Sequence, residues 1–252
     1  MRRPLILVSN DDGVLAPGNV ALREALERIG DVYTVAPTTE QSANSHSLTL
    51  HRPLRFERLA ERVWAVDGTP ADCVYVALVM QGVLPRRPDL VASGINHGPN
   101  LGADVHYSGT VAAAREAALR GIAAIAFSLV EPGPLEPVAA LAATLCERML
   151  QAGLPGGPVP LLNVNVPPRW QGIRATRLGL RRYEDAVTVR TDPRGRGYLW
   201  LGGAEATHEP VDGSDTEAVD AGWVSVTPLA IEVTYGPHMP LARHVAGVEA
   251  AP

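Results

Sequence analysis

Leu5-Ile6-Leu7-Val8-Ser9-Asn10-Asp11-Asp12-Gly13 opens as an unbroken apolar run and stops in a polar turn that carries two adjacent carboxylates. Strands buried on both faces of a parallel sheet read as continuous apolar runs rather than alternating ones. In open α/β sheets, ligands lie just beyond the carboxyl ends of such strands. Two acids placed there, with no Lys or Arg beside them, repel each other unless a cation sits between. The first candidate is a divalent metal.

Outward from this turn, Pro17 to Ile29 carries apolar residues at helical spacing and stops at Gly30, and Asp31 to Pro37 reads as a second strand. Thr38 to Ser47 is a polar loop rich in Ser, Thr and Asn, and strands are expected near Leu48–Phe56 and Val63–Val66. Gly68-Thr69-Pro70-Ala71-Asp72 opens a helix that runs through Met80, with Thr as N-cap, Pro at the first helical position and Asp in the first turn. Its reading is structural. Asp89 to Ser93 is the next strand, and a Gly-rich polar loop follows from Gly94 to Gly109. Then come a helix over Thr110–Arg120, a buried strand over Ile122–Leu129 and a helix over Pro134–Leu150.

This alternation predicts a right-handed, Rossmann-like, mostly parallel α/β sheet with helices on both faces. Beyond Gly153 the texture changes: Leu161–Val166, Ile173–Leu180, Tyr198–Leu201 and Val224–Pro228 read as strands without intervening helices. The chain is thus expected to be one domain, a Rossmann-like core over about residues 1–166 followed by a β-rich extension and C-terminal segment over about 167–252, suited to subunit contacts.

With 252 residues, 46% of them hydrophobic, the chain is long enough for a full core. A formal charge of -5 without blocks of like charge gives no footprint for a nucleic-acid polymer or a membrane surface. No apolar run approaches the ~18–20 residues of a membrane span, and the start, Met1-Arg2-Arg3-Pro4, leads straight into a strand, so the expected location is the cytoplasm. Cys73 and Cys146 read as reduced and buried. All 22 basic residues are Arg. Without Lys there is no Schiff-base chemistry, no Walker-A lysine and no lysine general base.

Three loops follow three strand ends and are expected to converge on one rim of the sheet. The first offers Asn10, Asp11 and Asp12; the second Ser42, Asn44 and Ser45; the third runs Ser93-Gly94-Ile95-Asn96-His97-Gly98-Pro99-Asn100-Leu101-Gly102 and ends in Tyr107-Ser108-Gly109-Thr110 at a helix start. Carboxylate, hydroxyl and amide oxygens are the hard donors that suit Mg²⁺ or Mn²⁺. The helix start offers free backbone N–H groups as a phosphate seat, and Gly109 allows close approach. These are parts for phosphoryl transfer to water. Each also has a plainer use: Asp-Asp-Gly and the Asn residues beside glycines are ordinary turn chemistry. His46, His97 and His106 read as solvent-exposed loop histidines, and Tyr107 as a packing residue.

SNDDG followed by APG, the loop ending in SLTL, then GTPADCV, SGIN-x-GPNLG, YSGTVAAA-x-E and AVDAGWVSVTPL, in this order over about Leu5 to Leu229, resemble the survival protein SurE family. The resemblance implies a metal-dependent phosphatase acting on nucleoside monophosphates at the 5′ and often the 3′ position, with trimming of short polyphosphate in some members. It also implies a Rossmann-like core with a β extension used in dimerisation by exchange, in homodimers or homotetramers. By position, one divalent ion per subunit (Mg²⁺ or Mn²⁺) would be held by Asp11, Asp12, Ser42 and Asn96. Asn10, Asn100 and the Ser108-Gly109-Thr110 turn would face the substrate phosphate. Catalysis would fall to Asp11, Asp12 and Asn96; in-line attack by metal-activated water is the favoured mechanism, with a phospho-aspartate intermediate as the runner-up. His97 and His106 stand where small or aliphatic residues are expected, so neither inherits a role.

Two other readings are kept in view. A nicotinamide dehydrogenase needs G-x-G-x-x-G after the first strand, where this chain has NDDGVLAPG. A nucleotide- or metal-sensing module would bind at the same loops without turnover.

Overall fold

The computed structural model describes residues 2–152, 157–183, 187–201, 207–209 and 211–247. The strands are β1 (Leu5–Ser9), β2 (Asp31–Pro37), β3 (Phe56–Ala60), β4 (Val63–Val66), β5 (Leu90–His97), β6 (Ala124–Leu129), β7 (Leu161–Val166), β8 (Ile173–Ala175), β9 (Leu180–Arg182), β10 (Val187–Thr191), β11 (Gly197–Leu201), β12 (Thr207–Glu209) and β13 (Val224–Pro228). The helices are α1 (Pro17–Leu26), α2 (Pro70–Val79), α3 (Gly109–Leu119), α4 (Leu135–Gln151), α5 (Asp215–Asp220) and α6 (Met239–Ala246).

Nine strands form one sheet in the order β3-β4-β2-β1-β5-β6-β7-β13-β8. From β4 to β7 neighbouring strands are parallel. β3 and β13 run antiparallel to β4 and β7 respectively. Strand β1 pairs with β2 on one side and β5 on the other, with Ser9 in register with Ser93. The strand order therefore reverses between β1 and β5, and the crevice beyond their carboxyl ends is the place where such sheets take ligands.

The alternation of side chains sorts the core into two layers. Ile6, Val8, Ile125 and Phe127 pack with Leu22 and Leu26 of α1 and Val138 and Ala142 of α4. Leu7, Val91 and Ala124 pack on the opposite face with Val74 of α2 and Ala114 of α3. Helix α1 lies so close to β5 that a Cβ added at Gly18 would stand 2.0 Å from the Ile95 carbonyl oxygen. Gly18→Ala therefore forces α1 outward and is expected to cost about 1–3 kcal/mol, read as a lower urea midpoint at an unchanged slope.

The fold class is as the sequence predicts, with differences in detail. Residues 48–55 form no strand; the strand of this hairpin begins at Phe56. β5 continues past Gly94 to His97, with a register irregularity between Ser93 and Asn96, so the third loop is shorter than expected. The stretch Ile173–Leu180 divides between β8 and β9. Two helices, α5 and α6, lie in the C-terminal third where only strands were expected. α5 is opened by Ser214, whose side chain accepts from the Glu217 N–H, a cap signal in Gly213-Ser214-Asp215 that the strand reading passed over. β13 and β8 from this third join the main sheet. Among the described residues β10 and β11 pair only with each other, in a two-stranded ribbon. Gly153 falls outside the described residues. No helix among the described residues is long and apolar enough to cross a membrane. Cys73 and Cys146 are free and buried.

Candidate functional site

The first loop leaves β1 into the crevice and is braced from within. Asn10 is fully buried, and its amide donates to the Gly13 carbonyl at 2.8 Å. Asn10 thus braces the loop through its amide nitrogen, while its Oδ1 is buried without a hydrogen-bond partner among the described residues. Val14 N–H donates to the Pro37 carbonyl at 2.8 Å, tying the loop to the end of β2.

Asp11 is only 5% exposed and points at the start of α3. It accepts a hydrogen bond from the Thr110 hydroxyl and a second from the Thr110 backbone N–H. Burial, aided by repulsion from Asp12, pushes its carboxyl up to about 6 against the pull of the Thr110 bonds. Asp12 is half-buried and accepts from the His97 backbone N–H. Its carboxyl is also raised, first by burial and then by the nearby Glu40 carboxylate. Glu40 had no place in the sequence reading, since one acid in a polar loop carries no signal of its own.

The second loop is tied to both of the others. Gln41 N–H donates to the Asp11 carbonyl at 2.7 Å, and Ser45 reaches Tyr107 O through its N–H (3.0 Å) and His106 O through its hydroxyl (2.5 Å). Ala43 and Ser45 sit at φ 58° and 52°, which non-glycine residues adopt only when held there. At the loop's end, Asp72 accepts from Thr49 N–H (2.9 Å) and Thr49 hydroxyl (2.6 Å) while closing the capping box of α2 with Thr69. His46, expected in solvent, is half-buried with Nε2 2.9 Å from Glu116 Oε2. Burial alone would raise the Glu116 carboxyl, but bonds from His46 and Arg120 hold it below its ordinary range. Ser42 is exposed and donates its hydroxyl proton to Glu40 at 2.7 Å, which leaves the oxygen's lone pairs to accept.

In the third loop, Asn96 Nδ2 donates to Gly98 O at 2.8 Å, leaving Oδ1 as the atom for a ligand. Asn100 is buried and built into the sheet rim: its N–H donates to Asn165 Oδ1, its amide to Ser128 Oγ, and its carbonyl accepts from Asn163 and Asn165. Ser108 caps α3 by accepting from Val111 N–H at 3.0 Å. Thr110 N–H is taken by Asp11. The sequence suggested several free donors at this helix start. The structure leaves the Gly109 N–H without a protein acceptor among the described residues. A Cβ at Gly109 would stand 2.8 Å from Asp11 Cβ, so Gly109→Ala displaces the carboxylate itself. Activity is expected to fall at least tenfold with a thermal midpoint close to the parent's, measured side by side. His97, His106 and Tyr107 are exposed, Tyr107 contrary to its reading as a packing residue.

Among the described residues no cluster of three or more His, Cys, Asp and Glu is arranged to hold a metal ion. A cation here would depend on two carboxylates and neutral oxygens. The residues fit that role: the donors are hard oxygens, two acids suit one divalent charge, and neither forms an ion pair with Arg among the described residues. Burial is the first cause of both raised carboxyls, and repulsion from a neighbouring carboxylate adds to each.

Known proteins resemble this chain over most of its length. The family model described as Survival protein SurE matches residues 6–185. A 5′-nucleotidase SurE of Sorangium cellulosum is 56% identical over 249 residues, 97% of this chain and 96% of that protein. A 5′-nucleotidase SurE of Syntrophotalea carbinolica is 49% identical over 235 residues, covering 91% and 92%. The crystal structure of the SurE protein from Aquifex aeolicus superposes with a TM-score of 0.84 at 39% identity, covering 96% of this chain and all of that one.

Proposed function

The chain belongs to the survival protein SurE family and is a 5′-nucleotidase, and from that premise we propose that its hydrolysis of nucleoside monophosphates depends on one divalent cation, Mg²⁺ or Mn²⁺, per subunit. The observation that carries the metal reading is the adjacent pair Asp11–Asp12 at the sheet's switch point, Asp11 raised by burial and repulsion from Asp12, and Asp12 by burial and the Glu40 carboxylate. Asp11, Asp12, Ser42 Oγ and Asn96 Oδ1 would hold the ion. When bound, it supplies charge to offset the phosphoryl oxygens and to ready a water for attack. The chain's own groups do the rest. His97 N–H orients Asp12, the Thr110 bonds fix Asp11, and Gly109 N–H at the α3 terminus is the donor positioned for a phosphoryl oxygen. Asn100 and Ser108 act by holding this rim in place, a role their hydrogen bonds support.

The test is phosphate release from AMP with Mn²⁺ or Mg²⁺ against an EDTA-treated sample. Activity lost to chelation and restored by the ion is expected; activity surviving chelation overturns the metal reading. Ser42→Ala is expected to be milder than loss of either acid, raising the Mn²⁺ concentration needed for half-maximal activity by about tenfold. A sensing module without turnover is not favoured, since the relatives are named as enzymes. Cleavage at the 3′ position belongs to this proposal as well, and a parallel assay with 3′-AMP tests it.

We further propose a homodimer or homotetramer. The β10–β11 ribbon carries Val189 at 70% and Trp200 at 64% exposure, and α6 exposes Leu241 and Val245. Apolar surface of this kind is covered in stable assemblies. Light scattering at several concentrations decides it; a monomer throughout contradicts it.

A further inference from the structure

Glu116 is a buried carboxylate for which the reaction has no direct use. It lies on α3, well past Gly109, and is 4% exposed. Such a charge is costly to bury unless it is paired. Arg120, four residues on, places Nε 2.9 Å from Oε1 and sets its guanidinium over the Tyr75 ring of α2 at 4.3 Å. That partner alone would serve the helix. The second comes from the second loop, 70 positions away, where His46 brings Nε2 to 2.9 Å from Oε2. An ionised carboxylate only accepts hydrogen bonds, so the proton of this contact sits on His46 Nε2. Both side chains are largely shielded from water, the imidazole at 18% exposure and the carboxylate at 5%.

The loop that His46 closes carries Ser42. Among the described residues the Ser42 side chain bonds only to Glu40, within the same loop. Its position is therefore set by the attachments on either side. Before it, Gln41 N–H holds the Asp11 carbonyl. After it, Ser45 bonds to the turn ahead of α3, and His46 bonds to α3 itself. The left-handed backbone of Ala43 and Ser45, at φ 58° and 52°, persists only while both sides hold. We infer that His46, seated on Glu116, is a positioning residue for the cation site: it fixes the second loop against α3 so that Ser42 stays at the rim shared with Asp11 and Asp12. The inference rests on the metal reading and deepens it. α3 already fixes Asp11 through Thr110. Through Glu116 the same helix aligns a second proposed ligand on a different loop. Neither His46 nor Glu116 is itself a ligand.

The test uses the full-length chain and reads Mn²⁺ binding directly, by the electron spin resonance of the free ion, alongside turnover of AMP. His46→Ala leaves Glu116 paired with Arg120, so its thermal midpoint should show a folded protein. Mn²⁺ binding is expected to weaken roughly fivefold, within the about tenfold expected of Ser42→Ala. Saturating Mn²⁺ should bring kcat back to within about twofold of the parent. His46→Gln, whose amide N–H can stand in for Nε2, should bind Mn²⁺ as the parent does. Because His46 acts through Ser42, His46→Ala combined with Ser42→Ala should bind Mn²⁺ no more weakly than Ser42→Ala alone. General damage to the fold would instead multiply the two losses. Glu116→Gln, which keeps an acceptor oxygen and drops the charge, runs through the same cycle and decides the matter if His46→Ala does not fold. Parent-like Mn²⁺ binding in the folded single variants, losses that multiply, or a His46→Gln no better than His46→Ala would each overturn the assignment. A parent that binds no Mn²⁺ sinks the metal reading itself, and the role of His46 with it.

Discussion

Asp11→Asn lowers kcat on AMP by at least a thousandfold and, in metal-free protein, raises stability above pH 6. Both effects come from one buried carboxylate. Its pKa is raised from 3.8 to about 6, so its contribution to stability is fully present below pH 3.8 and is lost as pH rises through 6. Asn carries no charge and escapes that loss. The variant's advantage therefore grows between about pH 4 and 6 and levels off above. A two-unit shift sets an upper limit of ~3 kcal/mol, from which the weaker bond to Thr110 subtracts. Added Mn²⁺ should reverse the order, because an ion at a hundred times its Kd stabilises the parent by about 2.7 kcal/mol. Thermal melts at pH 5 and pH 8, with and without Mn²⁺, read all of this. A variant that keeps parent-like activity with metal, or that melts lower than the parent at pH 8 without it, contradicts the assignment.

Asp215→Ala is expected to destabilise the protein by about 3–5 kcal/mol, with no contact to the chemistry. Asp215 is 0% exposed and accepts from the Gly102 N–H at 3.0 Å, the Gly179 N–H at 2.7 Å and the Thr216 N–H at 2.9 Å. Removing it leaves three donors buried without an acceptor. It also frees the third loop from the C-terminal part of the chain, which is otherwise held there by the Arg181–Asp104 ion pair and the Tyr183 hydroxyl on Asp104. The urea midpoint should drop with little change in slope. Asp215→Asn, retaining one carbonyl oxygen, should fall between the two. A shift below 1 kcal/mol for Asp215→Ala would mean the clamp is not what holds loop and extension together.

The sequence carried the parts of this molecule that depend on local pattern. Apolar runs placed β1, β2 and β6, helical spacing placed α1 to α4, and Thr69-Pro70-Ala71-Asp72 announced a helix start that proved to be a full capping box. The three polar loops were also readable, since each follows a buried strand. What escaped is non-local. Nothing in residues 48–55 says that Asp72 will hold that stretch as irregular chain by taking its Thr49 donors. His46 looks like any loop histidine until α3 brings Glu116 to it. Asn100 resembles a ligand-facing amide in one dimension, yet it is buried and bonded to the chain. Thr110 was read as an anion donor, but its hydroxyl and N–H meet the carboxylate of Asp11, 99 positions away.

The place of β13 bears on how the polypeptide is made. Val224–Pro228 leaves the ribosome after the other eight strands of the main sheet, yet it lies within that sheet, between β7 and β8. Until it arrives, β7 carries a bare row of amides and carbonyls along one flank while its other flank is already matched to β6. A nascent chain stalled or cut short before Val224 would present that flank to other copies, inviting sticky edge-to-edge pairing. Released fragments ending near residue 220 should thus recruit holdase chaperones more strongly than those ending past 230.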